Sequence, residues 1–248
     1  MPVIYLSPST QEYNPYVNGG NEEYYMNLVA DAMEPYLTAS GIEYVRNDPS
    51  KTVGNSVRQS NAGNFDFHLA IHSNASAGDN AGRNRGVQVY YYANSQASER
   101  AAELFAENYR NIYPEPDLVK TVPTTSLYEL IRTKAPAILI ETAYHDNEDD
   151  AMWIRENIGE IAENLSMSTA QFLNVPFRQP QQMRMGRVVT RESPLNLRQA
   201  PSVDSEILAR IPGGTSIPIG GSVNGWYLTR YNGIQGYVSA EYIEIENE

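Results

Sequence analysis

The order of apolar runs constrains this chain more than any other feature. Over residues 1–174, short strand-like runs alternate with segments whose apolar residues recur at helical spacing. Residues 3–6 form a first run, stopped by Ser7-Pro8-Ser9. Asn21 can cap a helix with Glu22 and Glu23 in its dipole-favoured first turn. Met26, Val29, Ala30, Met33 and Leu37 mark the buried stripe of that helix, and Gly41 ends it. Further strands are expected at 43–46, 65–73, 87–92 and 137–140, and helices at 53–62, 95–112 and 148–173. Such alternation specifies an α/β unit, a mixed sheet with helices on both faces.

Near residue 175 the pattern changes. Residues 175–186 carry two Pro, three Gln and no apolar period, as a linker does. Beyond them, short strands are expected at 186–190, 195–198, 206–211, 216–219, 226–231 and 235–238. Pro-Gly-Gly at 212–214, Gly-Gly at 220–221 and Asn-Gly at 224–225 and 232–233 supply the turns. The expected organisation is therefore 1–174, a linker over 175–186, and a small all-β barrel over 187–248.

Composition removes several function classes. The chain has 18 Lys and Arg against 30 Asp and Glu, a net charge of −12, and no basic run. Nucleic-acid binding draws most of its affinity from phosphate neutralisation, so it is not expected. Cysteine is absent, which excludes disulfides, zinc–thiolate sites and a cysteine nucleophile. No apolar stretch is long enough to span a bilayer, and the N-terminus lacks a signal-peptide pattern.

Three histidines are present, His68, His72 and His145. His72 stands near the C-terminal end of an expected central strand, where ligands bind in open α/β sheets; it is either a ligand-binding group or a hydrogen-bonded strand-end histidine. His68 precedes it by four residues, about 13 Å along a strand, so one metal ion cannot take both; His68 reads as a core residue. Glu141 closes the apolar run 137–140, and a carboxylate there must be paired or must bind something. Glu23 reads by itself as a surface residue that favours the helix dipole.

Two segments together carry a resemblance. Ala70-Ile71-His72-Ser73-Asn74-Ala75 and Ile140-Glu141-Thr142-Ala143-Tyr144-His145-Asp146-Asn147 resemble, in order, the Ser-Ile-His-Ala-Asn-Ala and Val-Glu-x-Gly-Phe-Leu-x-Asn motifs of the type 3 zinc-dependent N-acetylmuramoyl-L-alanine amidases. The resemblance covers about residues 2–174. It implies a mononuclear zinc site with His72 as a ligand and Glu23 as another, placed by its spacing to Asn27-Leu28, with the neighbouring Glu22 as the alternative. It implies Glu141 as general base and acid. Asn74 either contacts substrate or caps the following loop, and Arg132, in Tyr128-Glu129-Leu130-Ile131-Arg132, which resembles a family Leu-x-Val-Leu-Arg stretch, either binds a stem-peptide carboxylate or pairs with an acidic neighbour. One departure stands out. The family carries Asp-Pro-Gly-His-Gly-Gly where this chain has Leu6-Ser7-Pro8-Ser9-Thr10-Gln11. Gln11 is the replacement expected at the first ligand position, and a neutral amide is a weaker zinc donor than imidazole.

The C-terminal segment resembles the bacterial SH3-like domain through Leu195-Asn196-Leu197-Arg198, Gly225-Trp226-Tyr227-Leu228 and Gly233-Ile234-Gln235-Gly236-Tyr237-Val238, with Ala200 in place of a usual Gly. Trp226 is expected in the barrel core or at its rim. The two resemblances imply a monomeric peptidoglycan amidase tethered to its substrate, acting outside the cell or in the cell wall as an autolysin or a phage lysin. The alternative, resting on the missing histidine, is a catalytically impaired wall-binding protein that keeps the amidase fold as a scaffold.

Overall fold

The first unit is built on six strands: β1 (Val3–Pro8), β2 (Glu43–Arg46), β3 (Phe67–Asn74), β4 (Val87–Tyr92), β5 (Val119–Thr124) and β6 (Ala137–Tyr144). In this computed structural model they lie in the order β2-β1-β3-β6-β4-β5. The first four of that order run parallel, and β4 and β5 run opposite to them. The structure describes residues 1–180, 184–191, 193–199, 201–223 and 225–246. Ala200, the Asn224 turn position and residues 181–183 of the expected linker lie outside them.

Helices α1 (Glu22–Ala39), α3 (Gln96–Tyr109) and α6 (Ile158–Phe172) cover one face. Met26, Val29, Met33, Phe105 and Leu165 pack there on Ile4, Leu6, Leu69, Ile71, Ile138 and Ile140. Burying each Ile or Leu contributes about 1.5–3 kcal/mol, so this layer dominates the stability of the unit. The other face carries the short helices α2 (Val53–Ala62) and α4 (Tyr128–Arg132), with Leu130 on Ala70, Ala137 and Leu139. The helices lie on both faces, as the alternation requires.

Three elements of this unit differ from expectation. The closing helix is split at Asn157 into α5 (Glu148–Glu156) and α6. The Asn157 side chain donates to the Trp153 carbonyl, the local competition that makes asparagine end helices. Strand β5 was hidden because Lys120, Thr121, Pro123 and Thr124 break the apolar signal; Pro is tolerated there because β5 is an edge strand. The five-residue α4 is too short to show a period. Gly86, which leads into β4, is needed at φ +111°, and a β-carbon there would come within 2.6 Å of the Leu118 carbonyl oxygen.

The chain divides into units Met1–Gln179 and Pro180–Glu248. Val175 and Phe177, in the expected linker, pack against the first core, and Phe177 stacks on Tyr36. The second unit is a seven-stranded antiparallel sheet, β13-β7-β10-β11-β12-β8-β9, formed by β7 (Arg184–Val188), β8 (Leu195–Arg198), β9 (Ile207–Ile211), β10 (Ser216–Val223), β11 (Trp226–Tyr231), β12 (Ile234–Ser239) and β13 (Ile243–Ile245). Val188, Leu195, Leu197, Ile211, Ile217, Ile219, Val238 and Ile243 form its core. Trp226 is partly buried and is not among the residues of that cluster. Asn232 and Gly233, at φ +51° and +82°, join β11 to β12 as an Asn-Gly hairpin requires.

Candidate active site

Sheet register builds the site. His72 on β3 is paired with Glu141 on β6, and Glu141 with Gln88 on β4, so the three side chains share one face across adjacent strands. Directly beyond, two residues of β3 span three of β6, from His72/Glu141 to Asn74/Tyr144. Such a bulge re-aims side chains at a strand end. Thr142 Oγ1 fixes it by donating to the His72 carbonyl at 3.0 Å.

The loop before α1 supplies the rest. Asn21 caps the helix, accepting from the Tyr24 amide at 2.8 Å. Glu22 is the first helical residue and 1% exposed. Its Oε1 lies 2.8 Å from His72 Nδ1, and its Oε2 accepts from Asn14 Nδ2 at 2.7 Å. Gln11 Nε2 lies 3.3 Å from the same His72 Nδ1, while Gln11 Oε1 accepts from Asn14 Nδ2 at 3.1 Å. Gln11, Glu22 and His72 are therefore brought together, and Glu23 is not among them. Glu23 is partly buried and takes a bond from Asn27 Nδ2 at 3.4 Å. A helical signal separates the two: Met26, Val29 and Met33 lie four, seven and eleven residues after Glu22, which puts Glu22 on the buried stripe.

The electrostatics follow from burial. Burial pushes Glu141 up to about 7; the nearby His72 charge opposes the rise and Glu22 adds to it. Its Oε2 is buried and has no hydrogen-bond partner among the described residues. Burial disfavours a charged His72, but the Glu22 bond and the charges of Glu141, Glu22 and Glu129 outweigh it and raise the ring to about 9. Glu22 is driven up by burial, yet its bonds from His72 and Asn14 hold it below its ordinary value.

Of the other expected residues, Asn74 is partly buried and donates to Gln88 Oε1 at 3.0 Å, and Tyr90 OH donates to the same oxygen at 2.6 Å. Arg132 is exposed at the end of α4, where its carbonyl accepts from Asn61 Nδ2. His145 is buried against Ser73 and stacked on Tyr16, away from the ring of His72 in its bonding. His68 is fully buried and paired with Glu129 at 2.9 Å. Glu129, 4% exposed, was not singled out from sequence; a charged residue beside Leu130 in an apolar turn was the available signal.

Among the described residues, no three His, Cys, Asp or Glu side chains form a group able to hold a metal ion. The donors that converge are one carboxylate, one imidazole and the Gln11 amide. With the unpartnered Glu141 oxygen beside them, this set fits a divalent cation that takes N and O ligands and keeps an open position.

A model of the N-acetylmuramoyl-L-alanine amidase family matches residues 9–169. The chain belongs to this family. The bacterial SH3 domain model matches residues 193–244, within the second unit. The amidase domain shares its fold with AmiC2 of Nostoc punctiforme, at TM-score 0.61 and 20% identity, covering 70% of this chain and 97% of that one. The catalytic domain of CwlV from Bacillus (Paenibacillus) polymyxa var. colistinus gives TM-score 0.61 and 16% identity, covering 71% and 100%. An endolysin of Bacillus phage SPP1 is 26% identical over 124 residues. That match spans 48% of this chain and 44% of the endolysin.

Proposed function

We propose that the protein hydrolyses the amide bond between the lactyl group of N-acetylmuramic acid and the L-alanine of the stem peptide in bacterial peptidoglycan. The observation that carries this reading is Glu141. It is a carboxylate with a free buried oxygen, poised by burial at about 7, on the strand beside His72. A general base works best with a value near the operating pH.

Gln11, Glu22 and His72 Nδ1 would hold zinc. When bound, zinc supplies Lewis acidity that polarises the scissile carbonyl and acidifies water towards neutrality. Glu141 takes the proton of the attacking water on Oε2 and returns it to the leaving alanine amine. Asn74, fixed by Gln88, would orient the substrate beside Glu141, and Arg132 would meet a stem-peptide carboxylate from the exposed end of α4. The SH3-like unit would hold the enzyme on the wall, where tethering raises the local concentration of the catalytic unit. Its place of action would be the cell wall, outside the cell. The scaffold alternative is not favoured, because a wall-binding scaffold has no need of a buried, unpaired carboxylate at Glu141.

The test is digestion of purified peptidoglycan with and without added zinc, counting new N-terminal alanine. Zinc-dependent release is expected. No release from several wall types, with wall binding intact, would overturn the amidase reading.

A further inference from the structure

His72 is faced by carboxylates on both ring nitrogens. Glu22 Oε1 is 2.8 Å from Nδ1, and Glu129 Oε2 is 4.0 Å from Nε2. The two arrive from different elements, α1 and α4, separated by more than a hundred residues of sequence. The second carboxylate is held firmly. Glu129 Oε1 accepts from Ser7 Oγ of β1 at 2.6 Å and lies 2.9 Å from His68 Nε2 of β3. His68 Nδ1 in turn lies 2.9 Å from Ser60 Oγ of α2. One oxygen of Glu129 is thus clamped by two strands, which leaves the other directed at His72.

We propose that Glu129 is a positioning residue for His72: clamped by Ser7 and His68, it faces the Nε2 side of the ring, keeps the proton there, and so presents Nδ1 to Glu22 and Gln11. This rests on the reading of His72 as a metal-binding group. A metal-binding histidine commonly directs its other ring N–H at a carboxylate, which sets tautomer and orientation. Burying the Glu129 carboxylate among hydrogen-bond partners is no cheaper than well-packed apolar side chains of the same volume, so stability alone does not account for it. Tyr5 and Ser7 of β1 and His68, Ala70 and His72 of β3 share the sheet face under α4, so the His68–Glu129 pair stands in line with His72. At 4.0 Å the contact to His72 is electrostatic rather than a hydrogen bond.

The test uses the full chain carrying Glu129→Gln, which keeps shape and removes charge. Two readouts are taken without substrate: zinc affinity by competition with a chromophoric chelator, and the ring-nitrogen NMR signals of His72. Glu129→Gln is expected to weaken zinc binding about 10–100-fold and to shift the Nε2 signal of His72 while the fold persists. A folded Glu129→Gln protein that binds zinc within twofold of wild type, with His72 signals unmoved, would reduce Glu129 to a structural partner of His68 and overturn the proposal. Should Glu129→Gln not fold, Ser7→Ala, which loosens one clamp and keeps the carboxylate, is judged by the same two readouts and criteria. Should the wild type bind no zinc, the His72 ring signals in wild type and variant decide alone. Failure of the amidase reading shows separately, as absent muropeptide release by a wild type whose His72 signals still respond to Glu129→Gln.

Discussion

Glu22 Oε1 meets His72 Nδ1 at 2.8 Å, while Glu23, one residue along the same helix, reaches no nearer than its own helical neighbour Asn27 in its hydrogen bonding. Successive helical residues point about 100° apart, so only one of two adjacent glutamates can face the sheet. Glu22→Gln is expected to cost about 3–5 kcal/mol, as removal of one partner of a buried charged pair does, and to abolish zinc binding. Glu23→Gln should stay within about 0.5 kcal/mol of wild type. Denaturant unfolding and metal titration of both variants check this; equal effects would remove Glu22 from the site.

Gln11 stands where imidazole would be the stronger donor. Gln11→His is expected to tighten zinc binding by on the order of 1–2 kcal/mol, measured by competition titration. Unchanged affinity would show that position 11 does not face the metal.

Glu141 should titrate near 7 in metal-free protein, visible in carboxyl-carbon NMR. A cation between Glu22 and His72 favours the ionised carboxylate, so the acid limb of cleavage should lie at or below pH 7, with activity rising as Glu141 ionises. Glu141→Gln should remain folded, keep wall and metal binding, and lose about 10²–10⁴ in rate. Retained cleavage would take the proton-transfer role away from Glu141.

Stability of the metal-free first unit should depend on pH through the same residues. His72 rises from 6.5 to about 9 on folding, so its contribution is complete below pH 6.5 and disappears as pH climbs to about 9. The expected loss over that window is on the order of 2–3 kcal/mol. Glu22 and Glu129 are lowered, so their contributions are present above about pH 4.5 and fade in acid. Urea midpoints of the first unit between pH 6.5 and 9 test the first claim; His72→Gln should flatten that slope.

Much of the fold was legible because burial imposes a period. The apolar runs around Leu6, Ile71 and Ile140 marked strands covered on both faces, and Met26, Val29 and Met33 marked the packed side of α1. Strand β5 was not legible, since an edge strand needs little apolar surface, and neither was α4, whose single turn has no period to show. At the site, His72 and Glu141 stood out because polar groups closing apolar strands must be accounted for. The family resemblance points to Glu23, with Glu22 as the alternative, through the local spacing to Asn27-Leu28; the helical phase of the buried stripe, also in the sequence, favours Glu22.

Local chemistry, carried by residue types and their periods, was enough to specify an α/β unit followed by a small antiparallel one, the Asn232-Gly233 hairpin, the Asn21 cap and the chemical identity of the candidate groups. The partnerships among those groups belong to the tertiary structure. His72 meets Glu141 through the register of β3 on β6, Glu22 through the phase of α1, and Glu129 through the docking of α4 on the same face. Each of these joins residues fifty or more positions apart. Chain-local propensities carry no information over such distances; it is the packing of the sheet and its covering helices that brings three carboxylates around one imidazole.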